Sequence, residues 1–244
     1  MESIQIYLNS QYADKYNNGS FSDCDFNLPI INIEDGFYIY LSVVHALIPF
    51  SFYNINSTNN ILSYKIASTV YNITIPTGNY NITNLLNTLS TLMPFFTISY
   101  DGIKNLLTFK YTLGANFTFL SSSTCFEIIG FRSGYSYVSS ATILTCIYSV
   151  NVYCMRCINI NSNLITYNIN KNQINNSSIL CCIPINETPY SMIEYNNVNN
   201  FRTNLFINSI NKINIRLADD KGNLIDLNGM YFNITIQLDV VQFT

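Results

Sequence analysis

Alternation of apolar and polar positions is the strongest signal in this chain of 244 residues, and it is clearest at the two ends. Near the C-terminus Phe232, Ile234, Ile236, Leu238 and Val240 alternate with Asn233, Thr235, Gln237 and Asp239. A period of two predicts a strand with one buried and one wet face. Ile4, Ile6 and Leu8 alternate in the same way within "SIQIYLNS", so both termini read as sheet members. Ile213, Ile215 and Leu217 form a third stripe that stops at Asp220-Lys221-Gly222. Glycine accepts positive φ cheaply, so a hairpin or near-hairpin is predicted there.

"GFYIYLSVVHALI" is apolar on both faces, with Ile39, Leu41 and Val43 on one and Tyr38, Tyr40 and Val44 on the other. That pattern predicts a strand covered on both sides. Pro49 cannot donate to a ladder and holds Ile48 extended, so the strand should end there and "FSFYNIN" should be its exit loop.

The middle of the chain changes period. "YNITIPTGNYNITNLLNTLSTLM" starts as a strand, breaks at Pro76-Thr77-Gly78 and resumes with Ile82, Leu85, Leu89 and Leu92 at helical spacing, which predicts one helix near 82–92. "FFTISYD" and "LLTFKYT" follow as two short strands across Asp101-Gly102. In "TCFEIIGF", Thr124 and Glu127 read as a capping box and Gly130 as a helix stop. Strand, helix, hairpin and turn make a small α+β unit between all-β flanks. Residues 61–136 are therefore expected to be an inserted subdomain, and residues 1–60 with 137–244 the β-domain.

Composition supports the β reading and narrows the function. Charged residues make up 10% of the chain against about 25% in an average globular protein, while 48% is hydrophobic and 14% aromatic. Polarity comes mainly from Asn, Ser and Thr, and Asn favours turns over strands. The net charge is −3 and the few Lys and Arg residues are scattered, which argues against binding nucleic acid through its phosphates. So few charges suit a surface covered by other subunits. "MESIQIYLNS" carries no basic segment, long apolar run or cleavage site, so synthesis in the cytosol is expected and the many Asn-x-Ser/Thr triplets read as by-products of composition. "FYIYLSVVHALIPF" contains His45 and Pro49 and is shorter than the roughly 20 residues of a spanning helix, so no membrane insertion is expected.

Catalytic chemistry has little foothold. The single histidine, His45, sits inside an apolar run, where a hydrogen-bonded core or interface histidine is the commoner occupant. Seven cysteines without a secretory signal read as reduced thiols. Cys154-x-x-Cys157 and Cys181-Cys182 invite a zinc site, but adjacent cysteines rarely bind one tetrahedral ion and no second pair has finger-like spacing. "DDKGNLID" lacks the spaced acidic ligands of a calcium loop, and no phosphate-binding glycine motif occurs. No metal, cofactor or catalytic residue is expected, and the protein reads as a non-enzyme. A thiol or zinc enzyme through His45 is the least supported class.

Several stretches, taken in order, carry a resemblance: "SDCDFNLP", "IYLSVVHALIPFSFYNIN", "IPTGNYNITNLLNTL", "SILCCIPI" and "LADDKGNLIDLNGMYFNITIQLDVV". Together they resemble the minor capsid proteins of virophages, polinton-like viruses and large DNA viruses, nearest to the penton type. The resemblance implies a jelly-roll β-sandwich, to which the residues add the inserted subdomain. It also implies a structural virion protein that forms homopentamers at the fivefold vertices of an icosahedral capsid, beside a neighbouring major capsid protein. Such a protein would be made in the host cytoplasm and end in the virion. The alternative is a virion fibre head or receptor- or glycan-binding β-sandwich. Phe50, Phe52 and Tyr53 in the exit loop are candidate subunit-interface residues, since aromatics are enriched at interface cores. Their other reading, as a cap on the sandwich, stays open. The Cys-rich region 146–182 finds no explanation in the resemblance.

Overall fold

A computed structural model describes residues 2–34, 36–153, 155–164, 178–205 and 207–242. The chain divides into two compact units, Met1–Phe52 with Met155–Thr244, and Tyr53–Cys154. In chain order, β1 (Glu2–Asn9), β2 (Lys15–Tyr16), β3 (Asp23–Asn32) and β4 (Phe37–Pro49) belong to the first unit. The second unit contains β5 (Ile61–Ile66), β6 (Thr69–Thr74), α1 (Ile82–Leu92), β7 (Phe96–Asp101), β8 (Leu106–Tyr111), β9 (Phe117–Phe119), α2 (Phe126–Ile129), β10 (Tyr137–Val138) and β11 (Ile143–Thr145). The chain then returns to the first unit with β12 (Cys157–Ser162), β13 (Ile179–Pro184), β14 (Met192–Asn196), β15 (Thr203–Leu205), β16 (Ser209–Ala218) and β17 (Asn233–Gln242).

Strand order identifies the architecture of the first unit. One antiparallel sheet runs β1-β17-β4-β14, with β15 also on β4, and the other runs β13-β12-β16-β3-β2. β14 and β15 share one partner and count as one position, and the two-residue β2 is an appendage. Eight positions then remain among the described residues, and the sheets order them 1-8-3-6 and 5-4-7-2. Two sheets interleaved in that order are the double Greek key of an eight-stranded jelly roll. The second unit occupies the connection between the third and fourth positions. Leu41, Ile48, Phe232 and Ile236 from one sheet meet Cys24, Ile160, Ile215 and Leu217 from the other in a single buried core.

Phe232, just before β17, and Ile234, Ile236 and Leu238 within it are buried as the alternation predicts, whereas Val240 is half-buried and Asp239 on the other face is buried. In β4 the alternation slips once. Thr235 faces His45 while Ile236 faces Val43, so Val44 is an extra residue. A bulge of this kind leaves a backbone group outside the ladder, and the Val44 carbonyl accepts from Asn197 N–H at 2.9 Å. Ile39, Leu41 and Val43 before the bulge and Ala46 and Ile48 after it all reach the core. The other face of β4 is half-buried at Tyr38, Tyr40 and Leu47, so it is covered less than its apolar text predicts. After β16, Gly222 takes φ 87° and the Asp219 carboxylate accepts from the backbone N–H of Lys221 and Asn223. One isolated bridge, Ala218 to Leu224, follows, so the turn makes a near-hairpin.

The second unit contains the sheets β10-β9-β5-β6 and β11-β8-β7. Asn81 caps α1 by accepting from Asn84 N–H at 2.8 Å, and Leu85 and Leu89 are buried. Their core partners include Phe109, Phe119 and Phe131, with rings edge to face at 4.9 Å for Phe109–Phe119 and 5.6 Å for Phe119–Phe131. Edge-on packing suits the aromatic quadrupole. The expected capping box at α2 does not form: Cys125 is the N-cap and makes no side-chain cap bond, while the Thr124 hydroxyl accepts from Ile61 N–H at 2.9 Å. Pairing to β5 has claimed the hydroxyl. Gly130 does end the helix, with φ 84°. β10 pairs with β9, and β11 with β8, which ties residues beyond 136 into this unit. Strands of two or three residues are too short to show a period. Among the described residues no helix is long and apolar enough to cross a membrane.

Candidate interaction surface

One end of the jelly roll gathers exposed apolar side chains. Where β4 stops, Phe50 N–H donates to Ser191 O and Phe50 O accepts from Tyr190 N–H, both at 2.9 Å. The Ser51 hydroxyl donates to Leu227 O at 2.5 Å, which ties the loop to the approach of β17. These bonds hold three loops together: 50–52, 188–191 and 226–231. Tyr190 and Met230 on these loops are 78% and 51% exposed, and Met192 at the start of β14 is 46% exposed. A cleft of about 380 Å³ opens alongside, lined by Asn18, Phe21, Leu224 and Asp226 among others.

Of the three aromatics singled out in the exit loop, Phe52 is buried in the core at 6% exposure, and the half-buried Phe50 stacks on it with ring centroids 4.5 Å apart. Tyr53 opens the second unit and is exposed. Tyr190, Met192 and Met230 lie in Asn- and turn-rich text without periodicity, where no sequence signal marks them.

The outer face of the first sheet is polar and tied together. Asp239, only 5% exposed, accepts from the Ser3 hydroxyl at 2.6 Å and from Gln237 Nε2 at 2.8 Å. Arg202 lies 3.9 Å from its carboxylate and 4.4 Å above the Tyr40 ring. His45 is half-exposed on this face, with Nε2 3.5 Å from Glu194 Oε1 across the β4–β14 pair. It lies on the outer face of an internal strand beside Glu194, not in the core.

The outer face of the second sheet carries a second network, where Asp23 and Asp25 of β3 meet Lys212, Asn214 and Arg216 of β16. The Lys212 hydrogen bond holds the Asp25 carboxyl below the usual carboxylate range, with Asn214 and Asn17 adding to it against the effect of burial. Such cross-strand pairs fix register. Burial pushes the Cys24 and Cys125 thiols up to about 12. Among the described residues no cluster of three or more His, Cys, Asp or Glu side chains is arranged to hold a metal ion. Cys154 lies outside the described residues.

No protein-family model matches the chain, and no curated protein sequence matches it. Solved structures do. The mavirus penton protein is 14% identical with a TM-score of 0.54, covering 99% of this chain and 100% of that one. A chain of the Sputnik virophage structure determined by cryo-EM is 13% identical with a TM-score of 0.50, covering 100% of this chain and 98% of that one. At such identities the likeness is one of fold, and it extends over both units. The strand order and this end-to-end match agree: the chain has the all-β, jelly-roll fold of the mavirus penton protein.

Proposed function

We propose that this protein is a structural capsid protein of a virion, without catalytic activity, and that it acts as a penton. The observation that carries the reading is the match to a penton protein over 99% of this chain and all of that one, together with the jelly-roll strand order. In this reading the chain forms homopentamers at fivefold vertices, contacts a neighbouring major capsid protein, and reaches the virion after synthesis in the host cytoplasm. The jelly roll is the assembling module and the second unit, in the connection between β4 and β12, is an insertion carried on it. A 10% charged composition leaves little repulsion between copies, which suits close packing in a ring. The loop end of the jelly roll supplies contact residues: the exposed Tyr190 and Met192, and the half-buried Phe50, which stacks on Phe52 in the core. Tyr53 is a further exposed aromatic.

The test is the mass of the protein by light scattering, alone and with the major capsid protein of the same particle, followed by reconstruction of the assembled shell. Pentamers, or density for this chain at fivefold positions, support the reading. A stable trimer that stays outside the shell points instead to a fibre head.

A further inference from the structure

Two cysteines in the first unit stand apart from the others. Cys157 opens β12, and Cys182 lies in β13, the outermost strand of the second sheet. Cys157 pairs with Pro184 and Cys182 with Asn159, so the two cysteines sit one diagonal step apart on the same face. Ile158, Ile160 and Ile183 take the opposite face and are buried in the core. Cys182 is near enough to add to the upward push on the Cys157 thiol. Cys182 is exposed and Cys157 half-buried, whereas Cys24, Cys125 and Cys146 are buried. Cys181 faces the other way and packs against the core. Of the described cysteines, only this pair combines neighbouring positions on one sheet face with access to solvent.

We propose that Cys157 and Cys182 are a redox-active pair that closes into a disulfide across the β12–β13 edge by exchange with a small-molecule disulfide such as oxidised glutathione. In the first step the Cys182 thiolate attacks one sulfur of the small disulfide. That bond breaks, one small thiol leaves with a proton, and a mixed disulfide remains on Cys182. In the second step Cys157, as thiolate, attacks the Cys182 sulfur and expels the second small thiol, which also takes a proton. The two cysteines together lose two electrons and two protons, and the small disulfide gains them. Exchange needs a thiolate. Burial first, then neighbouring Cys182 and the charges of Asp220 and Asp219, push the Cys157 thiol up to about 12, which disfavours the thiolate the second step needs.

Diagonal neighbours in a sheet stand farther apart than a disulfide allows, so β13 must move toward β12 as the bond forms. Among the described residues no strand pairs with the other side of β13, and its register with β12 already shifts between Ile160 and Asn161. The closed bond would join positions 157 and 182 covalently and restrict the unfolded chain between them.

The experiment incubates the full chain with oxidised glutathione under native conditions, quenches by alkylation at intervals, and reads intact mass and non-reduced peptides. The expected course is a transient glutathione adduct on Cys182, then a product lighter than the reduced protein by two hydrogens with Cys157 linked to Cys182, and a higher melting temperature. Cys157→Ser should stop at the adduct, and Cys182→Ser should give neither adduct nor bridge. A wild-type chain that keeps glutathione on Cys182, as Cys157→Ser does, overturns the proposal. So does a bridge through Cys154 or Cys181.

Discussion

Lys212 Nζ lies 2.7 Å from Asp25 Oδ2, on the outer face of the second sheet, where β16 and β3 are neighbours. The Asp25 side chain also accepts from Asn214 Nδ2 at 2.9 Å and from Asn17 Nδ2 at 3.4 Å, although the residue is only 6% exposed. A carboxylate this enclosed is tolerable because its acceptor sites are filled by donors, one of them charged.

Acid should therefore loosen the jelly roll through Asp25. Its folded pKa is depressed, chiefly by the Lys212 hydrogen bond, so its contribution is present above the ordinary carboxylate value near 4 and is lost as pH falls through the lower folded value. Asp25→Asn keeps the shape and removes the charge. It should cost about 1 kcal/mol at neutral pH, a modest figure because Lys212 is 46% exposed, and should flatten the fall in stability below pH ~4. Denaturant midpoints measured from neutral pH downward check both; equal acid sensitivity in variant and parent would show that Asp25 is not the titrating group.

Removing β17 should abolish folding of the first unit. β17 lies between β1 and β4 and buries Ile234, Ile236 and Leu238, with Phe232 buried just before it. Phe→Ala alone at such a site costs about 3–5 kcal/mol, a large part of a domain stability of about 5–15 kcal/mol. Truncation from Tyr231 onward should give insoluble or molten protein, and Phe232→Ala a melting temperature lower by many degrees. A cooperatively melting truncation would contradict the assignment of β17 to the core.

Much of this architecture is legible in the sequence where one element settles its own pattern. Phe232 to Leu238 alternate because one sheet face is buried, and Leu85 with Leu89 recur at helical spacing for the same reason. The pairing of β1 with β17 is not legible, because register between chain ends leaves no local trace. Neither is the bulge at Val44, since an extra apolar residue in an apolar run does not change its texture. Thr124 and Glu127 form a valid capping pattern, yet Thr124 is engaged by Ile61 from a distant strand. Phe52, an aromatic of the exit loop, is buried in the core, whereas Tyr190 and Met192 are exposed near the ends of strands the sequence does not delimit.

Gly130 should tolerate no side chain. Its φ is 84°, and a Cβ there would lie 2.2 Å from the Tyr148 carbonyl oxygen and 2.9 Å from Cys146 Sγ. Gly130→Ala combines left-handed strain with a backbone clash and should destabilise the second unit by at least ~2 kcal/mol. Gly134→Ala is the control, since its φ of 85° is alike but nothing lies within 4 Å. Thermal melts of the two variants should differ clearly, and equal losses would mean that strain alone accounts for the effect.

Chelation and mild alkylation should leave the folded protein intact. Cys24, Cys125 and Cys146 are buried, and their thiols are pushed upward by burial, so few thiolates are present to react. Mass spectrometry after native alkylation should find the label first on exposed Cys182. Stoichiometric zinc in the purified protein, with unfolding on chelation, would contradict this, because structural zinc is coupled to folding.

Replacing the second unit by a short Gly/Ser linker between Phe52 and Met155 should leave a folded jelly roll. Each unit has its own buried cluster, one built around Leu41, Ile160 and Phe232, the other around Leu89, Phe109 and Phe119. Every ladder of the jelly roll, from β1-β17 to β12-β16, is made within the first unit. Shortening a connection costs little and even lowers closure entropy, which changes by only about 0.6 kcal/mol per doubling of loop length. The excised chain should be soluble, show a β-rich circular dichroism spectrum and melt cooperatively, and residues 53–154 expressed alone should do the same. Phe232→Ala made in the excised chain should lower its melting temperature as it does in the full chain, because the side chain and its neighbours are retained. If neither piece folds, the two cores depend on each other, and the second unit is an integral part of the fold rather than an insertion carried by it.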